Sequence, residues 1–476
     1  MDPIPVHLEA AIRTKLRERR TQGLAICCFD AGRIRFAGGV GDADLGRGEP
    51  VTPTTVFRVA SVSKLLTTTL VLSAVQSGSI GLDDRVDQHL PAALRIRDRR
   101  GDPATSTVRS LLSHTSGLPS STRGTDLGGR LASRIANQGK VRSLTDAITG
   151  LRLRHEPGDR IVYSNAAFNV AGYVAATGSG LRFEDAVRRQ VLSPLGMSGA
   201  DFAPRRPGTG IATPYGSIFP PGVGAGSAER LRLVATPMGG LTSSVLDLAR
   251  FGRMVLGRGT IDGRAILDGG LVEEATSVQA LNHPALEQGY GLGFKVRTWR
   301  GRTIIGHDGN MPGVATQLLL SPDDGVGVVV LTNGYSLAVP HEIADLALCE
   351  ALAISADGGP IDPMDPSGRS GERLRREALA RRVEGTWGLA DPPLPGVAGR
   401  LGDLMTRSRI THATGGRLRL DGNPGSDGAA WLEPLAEVGR YRVAAGVEDR
   451  TTAVVEERAD GVHLWLGHAT RLRRRS

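Results

Sequence analysis

Lysine is nearly missing from this chain: four lysines stand against 54 arginines in 476 residues. A lysine kept in such a background, above all beside apolar residues, invites a chemical explanation. Cysteine is scarce as well, with three residues. Cys27 and Cys28 are neighbours on a predicted strand and point to opposite faces, and Cys349 falls on a late predicted helix. No disulfide framework or metal-ligand spacing is present, so all three read as apolar packing, and neither a metal nor a cofactor is expected. Aromatic residues make up only 4%, and acids are interleaved with the arginines. Despite a net charge of +9, that pattern reads as a solvated surface and excludes a nucleic-acid partner. No apolar run is long enough to span a membrane. Met1 to Arg20 lacks the apolar core and small-residue cleavage site of a secretory signal, so the expected location is the cytoplasm.

What is present begins with Ser61-Val62-Ser63-Lys64, at the head of the apolar stretch Leu65, Leu66, Leu70, Val71, Leu72 and Val75. Positions i and i+3 of a helix share a face, so the Ser61 hydroxyl and the Lys64 amine can meet. The stretch that follows reads as a helix buried nearly all round. An amine at its start loses hydration, which destabilises its proton and makes it a base for the serine.

The chain is too long for one ordinary core, and two domains are expected. An amphipathic helix over 7–20 precedes two strands, Gly23–Phe29 and Arg33–Gly39, joined by a tight turn. The Ser61 helix runs to about Ser77. Helices and loops follow to about Leu281, including helices Asn165–Thr177 and Ser243–Leu256. Strand patterns return at Gly291–Thr298, Arg302–His307, Ala315–Leu320 and Val326–Thr332, and a helix over Pro340–Ala353 closes the region. Strands at both ends with helices between them predict one α/β (α+β) domain over 1–354, its antiparallel sheet completed by the late meander. Residues 355–372, rich in Gly, Pro, Asp and Ser, read as a linker. A short basic helix from about Arg373 then leads into short strands such as Arg417–Leu420, Arg440–Ala444, Thr452–Glu456 and Val462–Leu466. These predict a small β-barrel domain over 373–476.

Two further clusters stand out. Tyr163-Ser164-Asn165 precedes a helix, and His307-Asp308-Gly309 ends a strand. Alone, the first would be a capped helix start and the second a satisfied strand-end histidine. His114 reads as structural, fixing the loop after a helix. Asp83-Asp84 and Asp323-Asp324 read as turn and cap residues.

Together, SVSK, YSN and HDG resemble the three motifs of the penicillin-binding-protein and class C β-lactamase superfamily. Leu111–Pro119 (LLSHTSGLP), Gly239–Ala249 (GGLTSSVLDLA) and Tyr290–Phe294 (YGLGF) are also similar to that family, and the resemblance covers about residues 5–353. It implies a β-lactamase-like fold, an antiparallel sheet flanked by helices plus a helical subdomain. It also implies a Ser61 acyl-enzyme: Lys64 lowers the cost of removing the hydroxyl proton, Tyr163 is the second proton carrier, and Asn165 hydrogen-bonds the lysine or the substrate. Sequence leaves open whether Lys64 or Tyr163 is the formal base. His307 and Gly309 share a strand face, and Gly309 is expected to let a substrate backbone lie close. By family analogy, the backbone N–H groups of Ser61 and Asn310 form the oxyanion hole.

His307 stands where class C β-lactamases carry lysine, which is more similar to DD-peptidases, D-aminopeptidases, esterases and acyltransferases. β-Lactam hydrolysis is therefore not the expected activity. Three readings follow. The first is a stand-alone thioesterase that releases and macrocyclises a nonribosomal peptide; such enzymes share this layout, including a lipocalin-like C-terminal barrel. It would take a peptidyl thioester ending in a D-residue, delivered by an acidic carrier protein that a basic surface suits. The second is a D-stereospecific aminopeptidase, amidase or esterase, in which water collects the acyl group. The third is a binding protein without turnover. The loops Ser120–Val141 and Pro204–Leu231 are expected as pocket walls, and Arg440 and Arg442 as groups that orient peptide carbonyls or a carboxylate. The layout favours the first reading.

Overall fold

The computed structural model describes residues 1–120, 143–203, 210–215, 236–286, 288–334, 336–354, 379 and 383–389, and the strands 408–412, 418–421, 430–434, 440–443, 452–458, 461–466 and 470–474. The expected linker 355–372, the basic helix from Arg373 and nearly all of the two expected loop walls lie outside the described residues.

The opening hairpin pairs Gly23–Asp30 with Ile34–Asp44, Cys27 standing opposite Ala37. On its other side Gly23–Asp30 pairs antiparallel with Val326–Thr332, the last strand of the late meander. A nine-stranded sheet results, in the order Glu49–Pro50, Ile34–Asp44, Gly23–Asp30, Val326–Thr332, Val314–Ser321, Arg302–Met311, Lys295–Trp299, Gln288–Tyr290 and Ala280–Leu281. Its central strands are buried along nearly their whole length because both faces are covered. One face, with Cys27, Phe29, Leu318 and Leu331, packs on the helices Ser63–Gln76 and Val245–Leu256. The other, with Leu24, Cys28, Leu319 and Val330, packs on Leu8 and Ile12 of the helix Val6–Glu18 and Ile343 and Ala347 of the helix Ala338–Ala351. Each such side chain contributes roughly 1.5–3 kcal/mol on burial. All three cysteines are free and buried, and burial pushes the Cys28 thiol up to about 12. Close approach on the first face depends on glycine. A Cβ on Gly252 or on Gly327 would fall 2.4 Å from Cζ of Phe29.

Three elements differ from expectation near the site. The strand expected over Gly291–Thr298 starts only at Lys295, because its first four residues form a tight turn between the strands Gln288–Tyr290 and Lys295–Trp299. Gly293 takes φ +79° there, and a Cβ would meet Oγ1 of Thr68 at 2.2 Å. The strand expected to end at His307 continues to Met311, because Val314–Ser321 supplies a ladder that the short polar residues did not advertise. Ser61 lies just outside the long helix, on a 3-10 turn spanning Ala60–Val62, and the α-helix starts at Ser63. Ala60 holds φ +48°, a conformation that costs a non-glycine residue of the order of 1–3 kcal/mol and tends to mark functional turns.

After residue 383 eight strands pair in chain order, and the first pairs with the last, Trp387 opposite Arg474, closing a barrel. Alternate residues Trp387, Ile410, Leu418, Leu420, Leu432, Tyr441, Ala453, Leu464 and Leu472 form one apolar cluster inside it. Val454 and Trp465, a cross-strand pair on the outward face, pack instead on Leu286 of the segment that joins Ala280–Leu281 to Gln288–Tyr290. His283 of that segment lies 3.5 Å from the Glu456 carboxylate. Among the described residues no helix is long and apolar enough to cross a membrane.

Candidate active site

The 3-10 turn that carries Ser61 is fixed from several directions. Leu241 O accepts from Val59 N–H, Ser63 Oγ donates to Ala60 O at 2.6 Å, and Leu241 N–H donates to Ser63 Oγ at 3.0 Å. Thr316 Oγ1, from the sheet, donates to Val59 O at 3.0 Å. Gly309 lies against this turn. A Cβ there would sit 2.3 Å from Val59 O, 2.4 Å from Thr316 Oγ1 and 3.1 Å from the Ala60 Cβ. Gly309 was expected to let a substrate backbone lie close; on the side a Cβ would take, the space is filled by the turn that presents Ser61.

Lys64 is fully buried at the start of its helix, with Nζ 4.8 Å from the Tyr163 ring centroid. Three oxygens surround Nζ: Asn165 Oδ1 and Met238 O at 2.7 Å each, and Ser61 Oγ at 3.2 Å. Two of them are carbonyl oxygens and only accept. Burial holds the proton affinity of Lys64 well below its ordinary value; Asp308 opposes that effect and Lys295 adds to it. A neutral amine would place its two N–H groups on Asn165 and Met238, leaving its lone pair toward Ser61.

Tyr163 donates to Ser61 Oγ at 2.7 Å. Burial raises its phenol above the ordinary value, so it stays protonated. Asn165 begins the helix Asn165–Thr177, which has the expected bounds because Ser164 caps it, accepting from Ala167 N–H at 3.0 Å. His307 is buried with its ring 6.0 Å from that of Tyr163. Its Nδ1 bonds the Asp308 carbonyl, which only accepts, so Nδ1 carries the proton and Nε2 a lone pair. Nε2 has no hydrogen-bond partner among the described residues. Burial lowers the ring to about 3, so His307 is uncharged and offers an acceptor where a lysine would offer a cation.

One charged group of this neighbourhood escaped the sequence reading. Lys295 stands opposite Gly306 in the sheet and forms an ion pair with Asp308, two residues on along the same face. Its charge acts on Lys64, Tyr163 and His307. The available signal was its rarity: the argument that singles out Lys64 among four lysines applies equally to Lys295, directly after YGLGF. Arg440 and Arg442 lie on the barrel strand Arg440–Val443, and their side chains lie outside the described residues. Among the described residues no group of His, Cys, Asp and Glu is arranged to hold a metal.

The buried histidines make folding sensitive to acid. His114 is held well below its ordinary value and His307 at about 3, chiefly by burial. The unfolded chain takes up these protons near pH 6.5, so below that pH it binds more protons than the folded chain. Stability is complete above about pH 6.5 and falls as pH drops toward the folded-state values. His307 is expected to remove about 2 kcal/mol between pH 6.5 and pH 5, and His114 to add to the loss in the same direction. Urea denaturation at the two pH values measures this, and equal stabilities would contradict it.

With this geometry in view, comparison with known proteins is informative. The family model described as β-lactamase matches residues 8–353. Penicillin-binding protein 4 of Amycolatopsis lactamdurans is 28% identical over 369 residues, covering 74% of this chain and 93% of that protein. The octameric penicillin-binding protein homologue from Pyrococcus abyssi superposes with TM-score 0.62 at 23% identity, over 98% of this chain and 99% of that one. The structure of SurE with D-Leu gives TM-score 0.59 at 24% identity, over 98% of both chains.

Proposed function

This chain belongs to the β-lactamase family and is a serine hydrolase or acyltransferase of the penicillin-binding-protein type, and from that premise we propose that it transfers a peptidyl group ending in a D-residue from a thioester to an amine of the same peptide, releasing a macrocycle. The observation that carries this reading is the combination of a complete Ser61, Lys64, Tyr163, Asn165 and His307 constellation with a C-terminal eight-stranded barrel. SurE, whose structure was solved with D-Leu, superposes over 98% of this chain and 98% of its own. The proposed division is a catalytic domain over 1–354, a linker over 355–372 and a lipocalin-like barrel over 373–476.

The proposed steps use the groups as they stand. Neutral Lys64 takes the Ser61 proton, and Oγ attacks the thioester carbonyl. The N–H groups of Ser61 and Asn310, on the two segments that meet at Gly309, hold the oxyanion; such donors contribute roughly 3–4 kcal/mol at the transition state. Tyr163 donates its proton to the departing thiolate and recovers one from Lys64, leaving a neutral thiol and the Ser61 ester. The peptide's amine, its N–H accepted by His307 Nε2, then attacks the ester carbonyl; the bond from that carbonyl to Ser61 Oγ breaks as Tyr163 passes its proton to Oγ and takes the one the amine gives up, which restores Ser61 and releases the cyclic amide. A net charge of +9 suits docking of an acidic carrier protein. An uncharged His307, with the Lys295 charge matched by Asp308, suits a substrate without a recognition carboxylate.

The test is incubation with an N-acetylcysteamine thioester of a peptide ending in a D-residue, with Ser61→Ala alongside, followed by mass. The expected product is the cyclic peptide, with a transient acyl adduct on Ser61. Linear acid alone would support the hydrolase reading instead. No adduct with thioester, ester or β-lactam probes would overturn both.

A further inference from the structure

We propose that His114 is the positioning residue for Tyr163. This inference rests on the reading of Ser61 and Tyr163 as nucleophile and proton carrier. His114 grips the chain on both sides of Tyr163: its backbone oxygen accepts from Val162 N–H at 2.8 Å, and its side-chain Nδ1 accepts from Ser164 N–H at 3.0 Å. Its ring packs on the Tyr163 ring with centroids 4.5 Å apart, and Tyr290 meets it edge-on at 4.6 Å while lying 6.4 Å from Tyr163 itself. The grip continues past His114, where Pro119 O accepts from Ser164 Oγ and Ser120 O from Asn165 N–H, both at 2.7 Å. Backbone and ring of the proton carrier are thus set by one residue.

Two further observations separate this from ordinary core packing. His114 holds φ +61°, a strained position for a residue with a Cβ. An Nδ1 that accepts must be unprotonated, so the proton sits on Nε2, which is buried and has no hydrogen-bond partner among the described residues. Histidine is kept here for an acceptor at Nδ1, and Nε2 goes unused. Burial above all, with the Lys295 charge adding to it, holds the ring well below its ordinary value and neutral, so the acceptor at Nδ1 is kept.

A residue acting through Tyr163 affects proton delivery to the leaving group. Its loss is felt most where the leaving group needs that proton. The test compares ethyl butyrate with p-nitrophenyl butyrate, which share an acyl group and differ in the basicity of what departs. His114→Ala is expected to lower kcat on the ethyl ester by about 10²-fold, the cost of an ångström-scale misplacement, with KM changed less than about threefold. On the p-nitrophenyl ester the loss should stay under about fivefold. Asn places an oxygen near the position of Nδ1 and tolerates positive φ, so His114→Asn should recover most of the ethyl-ester rate, whereas His114→Gln should not. In a Tyr163→Phe background, His114→Ala should cost less than about threefold more, since the two act as one unit. Equal losses on both esters, no advantage of Asn over Gln, or additive losses in the double variant would each overturn the proposal. Should His114→Ala fail to fold, the Asn and Gln variants carry the decision. A wild-type protein that forms no Ser61 adduct with either ester would instead bring down the underlying reading of the site.

Discussion

Lys64→Arg is expected to be as inactive as Lys64→Met, each lowering the rate of Ser61 acylation by about 10³-fold or more. Methionine removes the nitrogen and leaves Asn165 Oδ1 and Met238 O without their N–H donor. Arginine keeps donors and charge, and it cannot be deprotonated in a protein. A chain that writes arginine almost wherever it needs a cation keeps lysine here because a base must be able to lose its proton. The wild-type acylation rate should rise with pH through the depressed Lys64 value and then stay level, because Tyr163 is held above its ordinary range. In both variants the rising limb should vanish. Burst kinetics with a p-nitrophenyl ester from pH 5 to 10 measure rate and shape together. If Lys64→Arg kept a tenth of the activity, the lysine would be an electrostatic partner and not the base.

Gly309→Ala is expected to be the most damaging single-methyl change in the catalytic domain. The added carbon would lie 2.3 Å from Val59 O and 2.4 Å from Thr316 Oγ1, neither on a flexible side chain. Relief requires the Arg302–Met311 strand and the Ser61 turn to part, which also breaks the 3.0 Å bond from Thr316 Oγ1 to Val59 O. Overpacking of this kind costs about 1–3 kcal/mol, and the upper end applies where only backbone can yield. Separating the segments that bear Ser61 and Asn310 should reduce kcat beyond 10²-fold, because nucleophile and oxyanion donors shift apart. Urea denaturation and ester turnover on the same preparation test both parts. A stable, fully active variant would show that the turn has slack.

What was legible in the sequence was what depends on near neighbours. The meeting of Ser61 and Lys64 follows from a three-residue spacing, and the Asn165–Thr177 helix from a cap followed by an apolar run. The α/β sheet followed from strand patterns at the two ends of one region. Contacts set by distant segments were not legible. Gly309 was assigned to substrate because nothing local says that the Val59–Ala60 backbone fills its empty side. Lys295 was overlooked because its partner Asp308 is brought in only by strand register. YGLGFKV alternates like a strand, and only the Thr68 hydroxyl beneath Gly293 shows why it turns there.

The packing of Leu286 on Val454 and Trp465 ties the two halves of the molecule to one short piece of chain. Four residues beyond Leu286 comes Tyr290, against the ring of His114. Cutting the chain before residue 383 would strip the cover from Leu286 and free the strand that backs His114. The barrel alone would carry Trp465, 5% exposed in the whole molecule, as an open apolar patch. Neither half is finished without the other, so the barrel is better regarded as the cover of the Leu286 segment than as an appendage.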